Sequence, residues 1–319
     1  MAEPEGALLT LFFDAQSHLL SKFEIWSDTA VLGDTLTEQI FSDYRAVNGV
    51  KVPFALTVRT AGQTTQQVTY SAIELDAAPP ANAFELPKDI LEPSPLAGAA
   101  MNVTTLAPGV HLIGGGTHAS LAVEFRDYAV VVEAPLSSVR SRAVLDKTGE
   151  LMPGKPVRFV VASHHHFDHS AGLREYVAAG ITVVTHPRNA AFIRELATAP
   201  RTIRPDRLGS KPVEAQVETI TGRRVFTDGE QTLEIHPFET THAEDMLIAY
   251  LPRQKILFNI DLFGPPLVGP SPRANDFTRE LLRGIRSHGF VVETLAGAHG
   301  RVSTLAELEE VVAKGEQSR

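Results

Sequence analysis

The stretch VVASHHHFDHSAG, residues Val160 to Gly172, contains four of the chain's twelve histidines within six positions. It overlaps the apolar run VRFVVA, which begins at Val157 and is typical of a strand buried on both faces. Imidazole and carboxylate groups packed at the end of such a strand would repel each other and lose hydration unless a cation joined them. The stretch therefore predicts half of a metal site, and the other half must lie elsewhere in the chain.

The spacing of these side chains indicates the local backbone. On a helix, His164 and His166 would point about 200° apart and could not share an ion. In an extended segment, side chains two residues apart project to the same side. We therefore expect His164, His166 and Asp168 to converge in a loop that leaves the strand. His169 is expected to turn away into the following helix, and His165 to pack behind the site.

Three further residues follow apolar strands in the same way. His242 lies in the loop ETTHAED after the predicted strand TLEIHPF, Asp261 closes KILFNID, and His299 follows VVETLAGA. Ligands gather beyond the carboxyl ends of strands in open α/β sheets, so these three are the expected remaining metal ligands. His186 precedes a proline-led helix and is interpreted as a core or cap residue. His118 has no partner in the sequence and is interpreted as structural.

The composition limits the classes of partner. The chain has 319 residues, a net charge of -9 at pH 7 and no cysteine. It lacks the lysine- or arginine-rich run that would neutralise phosphates, which argues against a nucleic-acid partner. Any metal must be held by His, Asp or Glu. No apolar run approaches the roughly 18 residues that span a bilayer, so we expect a soluble protein with a small-molecule substrate. The sequence does not indicate an oligomeric state.

The pattern of strands and helices divides the chain into three parts. Residues 1–76 read as short strands with an Asn48-Gly49 turn, which predicts a small antiparallel β domain, compatible with the remainder of a longer one. Residues 77–100 are rich in proline and alanine and predict a linker. In residues 101–319 strands alternate with helices, which predicts an α/β catalytic domain. Strand-rich halves on either side of the basic segment RTIRPDRLGSK suit a two-sheet sandwich.

The order of the candidate ligands resembles the metallo-β-lactamase superfamily. An HxHxDH motif is followed by a histidine, an aspartate and a histidine, in the motifs SHHHFDH, THAEDM, LFNID and GAHG. The set is most similar to the dinuclear zinc hydrolases that include glyoxalase II and the acyl-homoserine lactonases. The resemblance extends from about residue 101 to about residue 310. It implies an αββα sandwich, here preceded by the extra N-terminal β domain.

The resemblance also implies a role for each candidate ligand. The first zinc ion would be held by His164, His166 and His242. The second zinc ion would be held by Asp168, His169 and His299, with Asp261 bridging the two ions. Iron or manganese are alternatives to zinc. β-Lactamases of this superfamily generally lack the bridging aspartate, so Asp261 favours a broader hydrolase.

The implied reaction is hydrolysis by a zinc-bound hydroxide. Two zinc ions share a water and lower its pKa, so that hydroxide attacks an ester, lactone, amide (including β-lactam-like) or related carbonyl bond. Asp168 is the candidate for orienting this water and passing on its proton. Three alternatives stay open at this point: a phosphodiester or sulfate-ester hydrolase, a mononuclear iron oxygenase resembling the persulfide dioxygenases, and a non-catalytic binding protein.

Substrate choice depends on the surrounding loops. The apolar, proline-rich segment FGPPLVGPSP, which contains Phe263 and Leu267, would form a hydrophobic wall or serve only as a surface connector. Arg201 and Arg204 would grip a substrate carboxylate or phosphate, or remain solvated charges. The N-terminal strands resemble the lipoprotein-carrier β domains of bacterial envelopes. An envelope or secreted location is therefore favoured if a leader has been removed.

Overall fold

The computed structural model describes residues 8–80, 82–85, 101–115, 117–271 and 273–317. Most of the predicted linker, residues 86–100, and Pro272 in the apolar loop lie outside these ranges. The chain divides into two compact units. The first contains the described residues up to Glu85 together with Ala199–Pro205, and the second contains the rest. The predicted boundaries assign Ala199–Pro205 to the catalytic domain, and the division into domains stays a prediction.

The first unit is built on a five-stranded antiparallel sheet in which each strand pairs with the next along the chain. Asn48 and Gly49 join the third and fourth strands with φ angles of 48° and 83°. Positive φ at both central residues is what a tight hairpin turn requires and what Asn-Gly supplies at little steric cost. The strands are β1 (Leu8–Phe13), β2 (Leu20–Thr29), β3 (Gly33–Val47), β4 (Val50–Thr60) and β5 (Gln63–Thr69).

The segment Ala199–Pro205 is held to the turn between β2 and β3. The Asp34 backbone N–H donates to the Pro200 carbonyl at 2.8 Å, and the Asp34 carboxylate accepts the hydroxyl and N–H of Thr202. The Arg201 guanidinium pairs with Asp28 at 2.5 Å. Part of the basic segment is thus a structural element of the first unit.

The second unit contains a seven-stranded and a six-stranded sheet. The seven-stranded sheet is antiparallel from its first to its fourth strand and parallel from there to its edge. Its strands are β6 (Asn102–Ala107), β7 (Val110–Gly115), β8 (His118–Glu124), β9 (Ala129–Val132), β10 (Val157–Ala162), β11 (Thr182–Thr185) and β12 (Val217–Thr219). The six-stranded sheet contains β13 (Arg224–Thr227), β14 (Thr232–Pro237), β15 (Leu247–Leu251), β16 (Ile256–Phe258), β17 (Thr294–Ala296) and β18 (Ser303–Thr304).

Helices lie along both sheets. Two of them, α3 and α4, contact the seven-stranded sheet, and α7 contacts the edge of the six-stranded sheet. The helices are α1 (Ser138–Leu151), α2 (Phe167–Ser170), α3 (Leu173–Ala178), α4 (Ala190–Thr198), α5 (Arg207–Ser210), α6 (Asp276–His288) and α7 (Leu305–Gln317). The sequence analysis did not anticipate α1 or the β6–β7 hairpin. None of the helices in the described ranges has the length and apolar character that crossing a bilayer requires.

The two sheets bury their apolar faces against each other. Side chains of β8 and β9 share one buried cluster with side chains of β14, β15 and β16. β8, β9, β15 and β16 are buried on consecutive residues, as strands covered on both faces are, whereas buried residues alternate along the first four positions of β14. The arrangement is an αββα sandwich, and the predicted fold class is confirmed.

Candidate metal centre

The seven predicted ligands lie at the ends of strands in the second unit. His164 and His166 follow β10, and His242 lies in the loop between β14 and β15. Asp261 follows β16 and His299 follows β17. Because β16 and β17 run parallel, their carboxyl ends bring Asp261 and His299 to the same edge of the sheet.

The side chains form two groups. Within each group, the atoms that could bind a metal all lie within 4.8 Å of one another. The first group contains His164, His166, His242 and Asp261, and the second contains His118, Asp168, His169 and His299. Asp261 lies between the groups: its Oδ2 is 3.0 Å from both His242 Nε2 and His169 Nε2, and its Oδ1 is 3.2 Å from His299 Nε2. All seven predicted residues are therefore in one place, with Asp261 positioned to bridge.

One expectation about the local backbone was wrong. Asp168 does not converge with His164 and His166, and His169 does not turn away from the site. The chain enters α2 at Phe167 instead of staying extended, so consecutive residues Asp168 and His169 both face the second group. Their ligand atoms lie 3.5 Å apart.

The hydrogen bonding of these atoms tests whether the residues suit a metal ion. Within the described ranges, Nε2 of His164, His169 and His242 and Oδ1 of Asp261 are buried without a hydrogen-bond partner of acceptable geometry. A buried polar group left unpaired costs about 1–3 kcal/mol, so four in one place call for a partner. Their lone pairs converge in the way that ligands of a divalent ion do. The donor set fits two cations.

Opposed charges give the centre unusual proton affinities. Burial alone would raise the pKa of the Asp261 carboxyl, but the surrounding imidazoles outweigh it and lower this pKa well below its usual value. Burial alone would lower the pKa of His169, but the carboxylates of Glu133 and Asp261 raise it to about 10. Asp261 is thus ionised at neutral pH, as a bridging ligand must be.

Comparison with known proteins agrees with this geometry. The family model of the metallo-beta-lactamase superfamily matches residues 109–299. The chain belongs to this superfamily. The match confirms the resemblance inferred from the motifs. Superfamily members are mostly hydrolases, and the two His/Asp groups suit divalent metal ions.

Three solved structures show the same fold. DIM-1 metallo-beta-lactamase is 16% identical over 69% of this chain and 98% of its own, with a TM-score of 0.51. A metallo-beta-lactamase from Pontibacter korlensis is 20% identical over 69% of this chain and 100% of its own, with a TM-score of 0.51. VMB-1 is 16% identical over 70% of this chain and 99% of its own, with a TM-score of 0.51. No curated protein matches the sequence.

Glu133 is a buried carboxylate at this centre that the sequence analysis missed. It follows β9 at a φ of 81°, which turns its side chain toward the loop after β10. Its Oε2 contacts His169 Nδ1 closely, and its Oε1 accepts the Ser163 N–H at 3.1 Å. A carboxylate on Nδ1 leaves Nε2 of the same ring free to bind a metal. In sequence, Glu133 reads only as the end of the strand YAVVVEA.

His118, which was interpreted as structural, is the second residue that was missed, and it lies in the second group. It begins β8 and is buried, with Nε2 3.3 Å from Asp168 Oδ2 and Nδ1 2.7 Å from the Thr117 hydroxyl oxygen. Burial and the neighbouring His299 and His169 lower its pKa to about 4. His118 is therefore neutral at physiological pH. Asp168 is 50 positions away in the chain, so no local motif reveals the contact.

The predicted substrate residues lie in different environments. Phe263 is buried in the core, whereas Leu267 is 76% exposed. The loop that carries them begins against His299: a Cβ on Gly264 would lie 2.9 Å from the His299 carbonyl oxygen. Arg201 is paired with Asp28 in the first unit, and Arg204 is exposed. The substrate roles of these four residues stay predictions.

Helix α6 supports the loop that carries His242. The Glu280 carboxylate accepts the N–H of Thr241 at 2.8 Å and the hydroxyl of Thr240 at 2.7 Å. Phe277 places its ring edge-on to His242, with centroids 4.9 Å apart. The helix therefore fixes the backbone of the loop and gives one ligand an aromatic neighbour, which the sequence analysis did not anticipate.

Two other histidines are not members of the ligand groups. His165 faces Asp245, with Nδ1 3.1 Å from its Oδ1, but its side chain is 54% exposed, so its packing behind the site stays a prediction. His186 Nδ1 accepts the Arg188 N–H at 3.4 Å and caps the short turn that precedes α4.

Proposed function

We propose that this chain is a dinuclear zinc hydrolase that cleaves an ester, lactone, amide or related carbonyl bond of a small molecule. The observation that carries the proposal is the position of Asp261 between two groups of imidazoles, in which the buried Nε2 atoms of His164, His169 and His242 lack a hydrogen-bond partner. Histidine and carboxylate donors with no thiolate suit zinc, with iron or manganese as alternatives.

Each residue has a proposed part in the centre. His164, His166 and His242 would hold the first ion. Asp168, His169 and His299 would hold the second, and Asp261 would bridge the two. When bound, the ions would lower the pKa of a water and polarise the substrate carbonyl.

Asp168 is proposed to orient the attacking water and to carry its proton away. The side chain is 29% exposed, whereas Asp261 is 9% exposed. Only a carboxylate in contact with solvent passes a proton on without a further relay. The neighbouring imidazoles outweigh the effect of burial and lower the pKa of Asp168, so it is ionised and able to accept.

Apolar side chains on the loop after Asp261 and beside His242 favour an organic acyl group over an ionic substrate. Leu267 and Val268 are 76% and 87% exposed on the loop that follows Asp261 and approaches His299 at Gly264, and Phe277 borders His242. Such side chains suit lactones and esters with a hydrocarbon portion. The similar structures bear the name metallo-beta-lactamase, so β-lactams belong in the same substrate panel.

The experiment combines metal analysis with a substrate panel. The purified chain should contain about two zinc ions and hydrolyse members of a panel of lactones, nitrophenyl esters and β-lactams. His166→Ala and Asp261→Ala should each lower kcat/KM by about 100-fold or more and reduce the metal content. His186→Ala, a histidine outside the centre, should change both by less than about twofold.

Each other outcome points to a different function. One iron per chain would favour the oxygenase alternative. Turnover restricted to nitrophenyl phosphate or sulfate would replace the carbonyl substrate with a phosphodiester or sulfate ester. A metal-loaded chain that turns over nothing in the panel would favour a binding protein. Equal loss of activity in all three variants would mean that the site is misassigned.

A further inference from the structure

We propose that His118 is a positioning residue of the second metal group: it donates a hydrogen bond to Asp168 and so fixes the direction of that carboxylate. The inference rests on the proposed function, because it takes Asp168 as a metal ligand. It adds to that function an eighth residue that the ligand motifs do not contain.

The hydrogen-bond directions around His118 follow from the chemistry of its partners. Its Nε2 is 3.3 Å from Asp168 Oδ2, and an ionised carboxylate oxygen only accepts, so Nε2 carries the proton. The other ring nitrogen then accepts from the Thr117 hydroxyl at 2.7 Å. The Asp168 carboxylate therefore selects the tautomer of His118 that carries its proton on Nε2, and the Thr117 hydroxyl, which can donate or accept, satisfies the other nitrogen.

The satisfied state of His118 separates it from the metal ligands. His164, His169 and His242 each have a buried Nε2 without a hydrogen-bond partner, whereas both nitrogens of His118 have one. A carboxylate oxygen has two lone-pair directions, so Asp168 Oδ2 can accept from His118 and still bind an ion. The geometry therefore assigns His118 to the support of a ligand and not to the coordination sphere.

The backbone on either side of His118 is fixed by a buried cation. Arg140 donates to the carbonyl oxygens of His118 at 2.7 Å and Gly115 at 2.9 Å. The carbonyl oxygen of Thr117 lies 3.2 Å from Nδ1 of His299. This contact orients the His299 ring so that its Nε2 points toward the centre. One short segment thus orients two of the three ligands of the second ion.

Substitutions at His118 distinguish support from ligation. His118→Phe keeps a ring of similar shape and removes the N–H. In His118→Gln, the amide nitrogen falls near the position of Nε2 and still donates. Thr117→Val removes the hydroxyl from an exposed residue and leaves the core unchanged. His111→Phe is the matched control: His111 also contacts a threonine hydroxyl, that of Thr105, but lies outside both ligand groups.

The readout is binding of cobalt(II) to the chelator-treated chain, followed by visible absorption and by competition with a chelator of known affinity. We expect His118→Phe to lower the affinity for the second ion by about 10–100-fold and to leave the affinity for the first ion unchanged. We expect His118→Gln to bind the second ion with an affinity within about threefold of the wild type and with the same spectrum. Thr117→Val should lower the affinity for the second ion by a smaller factor than His118→Phe does. His111→Phe should match the wild type.

Several results would overturn the proposal. If His118→Phe and Thr117→Val bind the second ion with wild-type affinity, the contact between His118 and Asp168 has no effect on that carboxylate. A shifted spectrum in His118→Gln, or a loss of the ion equal to that of His118→Phe, would place His118 in the coordination sphere. A wild type that binds only one ion overturns this inference and the proposed function together. A wild type that binds two ions but hydrolyses nothing contradicts the proposed function alone, because the comparison of metal affinities needs no substrate.

Discussion

Replacement of the buried carboxylate Glu133 by its neutral isostere is the most direct test of how the centre is held. Glu133 accepts from two donors, the Ser163 N–H through Oε1 and the His169 ring through Oε2, and it is fully buried. In Glu133→Gln the side chain keeps its shape but offers only one accepting oxygen. One of the two donors must then face an amide N–H.

Both orientations of the new amide remove the negative charge beside His169, which favours a bound cation, and leave one donor without its acceptor. If the amide oxygen stays on Ser163, the NH₂ group faces Nδ1 of His169 and favours the tautomer with a proton on Nε2, which cannot bind a metal. If the oxygen stays on His169, the Ser163 N–H is left unpaired at a cost of about 1–3 kcal/mol. We expect a loss of affinity of about 10–100-fold, which is about 1.4–2.7 kcal/mol.

The assay is titration of the metal-free protein with zinc in the presence of a competing chelator, which resolves the two ions by affinity. Glu124→Gln is the control, because Glu124 is a half-buried carboxylate on β8 that pairs with Lys155 and not with a ligand. The variant Glu124→Gln should bind both ions as the wild type does. Wild-type affinity for the second ion in Glu133→Gln would refute the supporting role of Glu133.

Two further predictions concern proton release and substrate contact. Although burial lowers it, the pKa of His169 without metal is raised to about 10 by Glu133 and Asp261, so the ring holds a proton at pH 7 that an incoming ion must displace. The apparent affinity for the second ion should therefore rise with pH, by about tenfold per pH unit below pH 10 if one proton is released. Calorimetry in buffers of different ionisation enthalpy should detect that proton. An affinity that does not change with pH would contradict this prediction. Phe277→Ala should raise KM for long-chain esters or lactones by roughly tenfold, about 1.4 kcal/mol of lost apolar contact, with unchanged metal content. An equal rise for a short-chain ester would show that Phe277 does not contact the acyl chain.

The candidate ligands could be recognised in the sequence because they follow one rule of position. His242, Asp261 and His299 each lie in the loop that follows a strand, and the structure places them with the HxHxDH segment in two adjoining groups. The hairpin at Asn48-Gly49 was predictable for a similar reason, since its backbone angles depend on two adjacent residue types. Features of this kind are encoded within a few residues of where they act.

The features that were missed depend on contacts between distant parts of the chain. Helix α1 buries Arg140, Ser141 and Thr148, so it lacks the apolar periodicity by which a helix is recognised. His118 contacts Asp168 only when β8 and α2 meet. The short helix at Phe167 reversed the expected directions of Asp168 and His169, because helix formation there depends on tertiary contacts and not on side-chain spacing.

The buried residues Asn259 and Glu133 and the half-buried Glu280, which the sequence did not reveal, share one physical role. Asn259 accepts the Phe263 N–H at 2.9 Å and donates to the Ala296 carbonyl at 3.1 Å, which fixes the turn that carries Asp261. Glu133 and Glu280 do the same for the loops of His169 and His242. Burial of a carboxylate costs several kcal/mol of hydration free energy, so apolar side chains in its place would stabilise the fold more. An apolar core, however, does not specify the direction of a hydrogen bond. The ligands converge because each loop is tied to the sandwich by a polar group with only one satisfactory arrangement, so the centre exists before any ion enters it.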